Sequence, residues 1–205
     1  MLAAINLQCI RGTRTLFSKV NFALEAGGML QVEGVNGSGK TSLLRMVSGL
    51  TQPAEGEIHW RGQGIRQDSE QYFGEMTYLG HSSGVKDELT ALENLRISAQ
   101  LAGDEISEEG AWSALQQLGL EGRENLPTKV LSAGQRRRVA LARLLLTKKP
   151  LWLLDEPLTS LDVAAISLLE GVLAAHVARG GMVMLTTHQP IRTPSGTIQR
   201  LQLNG

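Results

Sequence analysis

The eight residues GVNGSGKT, Gly34 to Thr41, limit the folds open to this chain more than any other stretch. They match G-x-x-x-x-G-K-[ST]. The apolar run MLQVEG precedes them, and TSLLRMVSGL follows with Leu43, Leu44, Val47 and Leu50 at helical spacing. A strand that turns through glycines into a helix start is suited to holding phosphate. Gly34, Gly37 and Gly39 permit backbone angles that aim successive N–H groups of the loop, across Val35, Asn36 and Ser38, at an anion. Lys40 supplies a point charge for the outer phosphates, Thr41 a hydroxyl for Mg²⁺, and Ser42 a further donor at the helix start. The plain alternative is a glycine-rich turn that happens to hold Lys-Thr; the flanking strand and helix argue against it.

Such a site needs a carboxylate for the metal at the end of a neighbouring strand. LWLLDEP and GMVMLTTH are continuous apolar runs ending in polar residues, as expected for central strands of a parallel sheet covered by helices on both faces. Asp155 is placed to hold Mg²⁺ through water, and Glu156 to polarise an attacking water. Two acids capping a surface strand would look the same in isolation. His188 closes the other run. A lone histidine is more often structural, but at the same sheet edge as Asp155 it suits a γ-phosphate contact. His59 and His176 read as surface or packing residues. With no N-K-x-D guanine-reading string and no visible acceptor site for a kinase, ATP hydrolysis is the expectation.

Around this core, VNFALEAGG alternates Val20, Phe22 and Leu24 with polar residues and stops at Gly27-Gly28, predicting short strands of a half-exposed antiparallel sheet. Residues 82–150 turn to helix formers and acids and read as a helical insertion. The expected layout is one domain over 1–205, with a nucleotide-binding core in 1–81 and 151–205. Lys+Arg and Asp+Glu both total 20, so no net field attracts nucleic acid, which is not an expected partner. The single cysteine, Cys9, excludes a disulfide framework. No signal peptide is visible, and no apolar run reaches the roughly 18–20 residues that span a bilayer.

LSAGQRRRVALAR, from Leu131, is a small polar turn running into a second helix start, where open N–H groups and the helix dipole favour anions. An ordinary Ser-capped helix is the simple reading, with the arginines forming a solvated face. Beside the upstream site, Ser132, Gly134 and Gln135 are better placed to cover the exposed face of a nucleotide's phosphates from a second copy.

In order and spacing, GVNGSGKT, LSAGQ, LWLLDEP, SLD (Ser160 to Asp162) and His188 resemble ABC-transporter ATP-binding subunits over essentially the whole chain. The resemblance implies an α/β P-loop NTPase fold of ABC type, with a mostly parallel central sheet, an N-terminal antiparallel β-subdomain and a helical insertion. It also implies a head-to-tail homodimer sandwiching two ATP, with Glu156 as general base, His188 on the γ-phosphate and SLD communicating across the dimer. Two positions depart from the family. His81 stands where a glutamine usually touches metal and water, and its imidazole would make coupling pH-sensitive. Arg11 stands where an aromatic usually stacks on adenine, a role a guanidinium plane can fill. The signature's usual second glycine is Ala133.

TRTLFSKVNFALEAG, ELTALENL and LTTHQP, with His81, are similar to the haem-exporter ATP-binding subunits of bacterial cytochrome c maturation. That implies a peripheral protein on the cytoplasmic face of the inner membrane, bound to the integral-membrane subunit CcmB with CcmC, CcmD and the haem chaperone CcmE. The translocated species, haem or none, stays open. A soluble ABC ATPase of another assembly pathway, or the ATP-binding subunit of a different transporter, is the alternative.

Overall fold

The computed structural model describes residues 1–192 and 198–203. The chain divides into two compact units. The first holds Met1–Tyr78, Lys149–Glu156 and Ala174–Gly205; the second holds Leu79–Lys148 and Pro157–Leu173. Residues 157–173, placed with the core by the sequence, thus cluster with the helical segment.

In the first unit, β1 (Leu2–Arg11) and β2 (Arg14–Leu24) form an antiparallel pair, longer than the short strands expected. With β3 (Met29–Glu33) leading into α1 (Lys40–Val47), the strand–loop–helix order around the glycine loop is as read. Leu50 is the exception: the helix ends before it, at Val47, and it is exposed. β4 (Glu55–Trp60) and β5 (Gln63–Gly64) complete a four-stranded sheet of order β2-β1-β4-β5.

α2 (Ser69–Glu75) leads to β6 (Met76–Leu79). Further along the chain come β7 (Leu151–Asp155), β8 (Met182–Thr186) and β9 (Ile198–Gln202). The second sheet runs β6-β7-β8-β3-β9, and β7, β8, β3 and β9 pair in parallel. β7 and β8 are buried at every position, which explains their unbroken apolar composition. A common core joins Leu7, Phe17 and Leu24 of the antiparallel sheet to Leu43 and Leu44 of α1 and to Leu151, Leu153 and Met184.

The second unit contains α3 (Ala91–Leu101), α4 (Glu108–Gln117) and α5 (Ala133–Ala142), and α6 (Val163–Ala178) begins in it. Each of α3, α4 and α5 starts at a hydroxyl N-cap: Thr90 and Ser132 in capping boxes with Glu93 and Gln135, and Ser107 accepting from the Gly110 N–H. No helix among the described residues is long and apolar enough to cross a membrane.

Candidate functional site

The glycine loop adopts the backbone its composition allows, with φ of +153° at Gly34, +82° at Gly37 and +100° at Gly39. Gly39 has a second constraint: a Cβ there would lie 2.9 Å from the Phe17 ring. Lys40 is buried, and its Nζ donates to the Gly34 and Val35 carbonyls at 2.8 and 3.2 Å, which holds the ammonium over its own loop. The Ser38 hydroxyl is buried with no hydrogen-bond partner among the described residues, a donor whose desolvation an anion in the loop would offset. Ser42 shares a hydrogen bond with the Cys9 thiol, whose pKa is raised chiefly by burial. Arg11 also lies close enough to influence Cys9, on the exposed hairpin end opposite Arg14. A cleft of about 650 Å³ opens beside the loop, lined by Gly34, Val35, Asn36, Thr187 and His188 among others.

Parallel register puts Asp155 level with Thr186. Asp155 is fully buried, and its Oδ1 accepts from the Thr41 hydroxyl at 3.2 Å and from the Thr186 hydroxyl at 2.8 Å. The Thr186 hydroxyl in turn accepts the Glu156 N–H at 2.9 Å. One side chain therefore holds the Asp155 carboxylate and the Glu156 main chain, and sequence reading missed it; a hydroxyl at the end of an apolar strand was the signal. The Asp155 charge is a secondary cause, after burial, of the raised pKa of Tyr78.

Glu156 has φ +50°, left-handed backbone for a non-glycine residue, and it precedes a proline. Such a conformation costs roughly 1–3 kcal/mol and persists only where neighbours hold it. Its carboxylate lies 3.4 Å from His188 Nε2, with the carboxylate mostly sheltered and the imidazole half exposed. The strand stops at Thr186, so His188 sits two residues beyond it rather than ending it. Thr41, Asp155, Glu156 and His188 are thus brought to one sheet edge. Among the described residues no cluster of three or more His, Cys, Asp or Glu forms a metal cage. A site built for Mg²⁺ with phosphate needs none, because one carboxylate and one hydroxyl suffice beside phosphate oxygens and water.

In the second unit, the Ser132 hydroxyl accepts the Gln135 N–H at 3.2 Å, and Gln135 Oε1 accepts the Ser132 N–H at 2.9 Å. The ordinary Ser cap is therefore real, yet it leaves the hydroxyl proton available to donate. By helix geometry the N–H groups of Ala133 and Gly134 lack intrahelical acceptors. Gly134 packs against the next motif: a Cβ would stand 2.5 Å from the Ser160 carbonyl oxygen, and Ser160 itself has φ +65°. Arg138 pairs with Asp162 at 2.5 Å, so signature helix and SLD turn are bolted together.

The expectation of a solvated arginine face fails here. Arg137 is 5% exposed, and Arg136 donates to the Leu131 carbonyl at 2.9 Å. His81 has an exposed side chain, and its carbonyl accepts from Arg137.

A glycine loop at a helix start, a buried carboxylate bonded to it, an adjacent acid and a separate LSAGQ helix start on this two-sheet fold define an ATP-hydrolysing cassette. The chain belongs to the ABC transporter family, whose model matches residues 17–159. It is 61% identical over 202 residues, 98% of each chain, to the cytochrome c biogenesis ATP-binding export protein CcmA of Nitrosospira multiformis. It is 57% identical to the protein of the same name from Nitrosomonas europaea, over all of this chain and 96% of that one. A solved dimeric bacterial ABC transporter cassette matches with a TM-score of 0.80 at 25% identity, covering 92% of this chain and 88% of the other.

Proposed function

We propose that this chain hydrolyses ATP as the energy-coupling subunit of a membrane complex in c-type cytochrome biogenesis. The observation that carries the chemistry is the joining of Thr41 and Asp155 through one hydrogen bond, with Glu156 and His188 3.4 Å apart at the same sheet edge. The names of the curated relatives supply the pathway.

The phosphate tail lies in the loop, where N–H groups of residues 34–39, the Ser38 hydroxyl and the Lys40 ammonium neutralise its charge. Thr41 and Asp155 would hold Mg²⁺, which when bound screens the phosphate oxygens. Glu156 accepts a hydrogen bond from the attacking water and takes its proton. His188 donates to the γ-phosphate. Ser132, Gly134 and Gln135 of a second, head-to-tail copy cover the remaining face, so ATP closes the dimer and hydrolysis releases it. Arg11 stacks on adenine, and His81 couples turnover to the membrane partner.

That partner is CcmB, with CcmC, CcmD and CcmE, at the cytoplasmic face of the inner membrane. The Glu156→Gln variant tests the chemistry. Turnover should fall by roughly 10²–10⁴-fold with nucleotide affinity retained. A variant as active as the parent would remove Glu156 from its role.

A further inference from the structure

We infer that Arg137 is a positioning residue for hydrolysis, tying the backbone at His81 to the backbone just after Glu156; the inference rests on the base role proposed for Glu156. The second of three successive arginines in α5, Arg137 turns inward and is almost wholly buried. Its Nη1 donates to the Gly80 carbonyl at 3.1 Å and the His81 carbonyl at 3.4 Å, and its Nε to the Pro157 carbonyl at 3.5 Å. These acceptors lie 56, 57 and 20 residues away in sequence, and all belong to the main chain.

A guanidinium bonded to carbonyls of two segments fixes where those segments run, whatever their side chains. Its planar fork of donors does this in a way that an ammonium on a flexible stem cannot reproduce. The same burial makes the tie consequential, because a buried cation is tolerated only while its hydrogen bonds are kept.

The position of Pro157 gives the tie a target. Glu156 is held in left-handed backbone, and its own N–H is anchored by Thr186. The carbonyl that Arg137 holds belongs to the next residue, on the other side of that strained position. Glu156 is therefore pinned at both ends, and one pin is shared with the segment carrying His81. Movement of the His81 segment, as when a partner docks on it, would loosen or tighten the pin behind Glu156. In this scheme Arg137 acts through the main chain it holds and sets the aim of the carboxylate.

The test compares the full-length parent with Arg137→Met, Arg137→Lys and Glu156→Gln. It uses steady-state MgATP turnover, affinity for a fluorescent ATP analogue, and amide hydrogen exchange. In Arg137→Met, kcat should fall about tenfold to a hundredfold, because a misaimed base is costly. Affinity should stay within about twofold, since nucleotide binding does not use the tie. Arg137→Lys should recover part of the rate. Exchange should quicken at residues 81–84 and 158–161 and stay unchanged in α3 and α4. An unaltered kcat overturns the inference. So does a loss accompanied by weaker nucleotide binding and faster exchange throughout α3 and α4, which marks a general structural role. A parent without turnover, or a fully active Glu156→Gln, defeats the underlying reading before Arg137 is considered, and the inference with it.

Discussion

Thr186 and His176 show how single side chains set the behaviour of the nucleotide-binding unit. The Thr186 hydroxyl accepts from the Glu156 N–H while donating to the Asp155 carboxylate, so it ties the main chain at Glu156 to the neighbouring acid. His176 does its work away from the chemistry. It stacks on Trp152 with ring centroids 3.6 Å apart, and its Nε2–H donates to the Pro150 carbonyl at 3.2 Å. Burial is the main cause holding its pKa below the ordinary value, with the Arg179 charge adding to it and backbone hydrogen bonds opposing it. The unfolded chain, with an ordinary histidine near 6.5, thus takes up the proton first as pH falls. The stabilisation is complete above about pH 6.5 and is lost progressively below it. Thermal unfolding should show the melting temperature falling from about pH 7.5 to about pH 5.5. The fall should be shallower in His176→Gln; equal slopes would assign the acid sensitivity elsewhere.

Among the elements, residues 86–90 ahead of α3 converge on one buried amide. Asn94 Oδ1 accepts the Lys86 N–H at 2.7 Å, and its Nδ2 donates to the carbonyls of Lys86, Leu89 and Thr90 at 3.0–3.2 Å. The Thr128 hydroxyl adds a bond to the Lys86 carbonyl at 2.7 Å. Asn94→Leu removes the acceptor of the Lys86 N–H and one of the bonds at each of the Lys86, Leu89 and Thr90 carbonyls. It should destabilise the helical unit by about 1–3 kcal/mol in denaturant unfolding, and a change near zero would show that water replaces the amide without cost. The sequence made the glycine loop, both buried strands and the LSAGQ helix legible because each follows from local composition: apolar runs, glycines at required angles, a hydroxyl before a helix. It could not reveal Asn94, whose partners lie in the irregular chain just before its helix, or Thr186 and Arg137, whose partners are brought near by tertiary folding. The arginine face was misread for that reason. Three consecutive charges on a helix look solvated until the chain around Gly80 and Pro157 closes over one of them. Leu50 was misplaced because helical spacing continues in sequence past the point where Gly49 lets the chain turn, at φ +75°.

At the scale of the whole molecule, the proposed dimer draws on two separate stretches of each copy. The glycine loop with Asp155 and Glu156 belongs to one compact unit and the Ser132 helix start to the other. With equal numbers of acids and bases, no net repulsion opposes the meeting of two copies. Nucleotide-driven pairing is the claim on which the rest depends, and sedimentation velocity of the Glu156→Gln variant tests it most directly. With saturating ATP and Mg²⁺ the variant should sediment at twice the monomer mass, and it should return to the monomer when nucleotide is removed. A monomer at saturating ATP would contradict the pairing and leave the LSAGQ helix start without its phosphate.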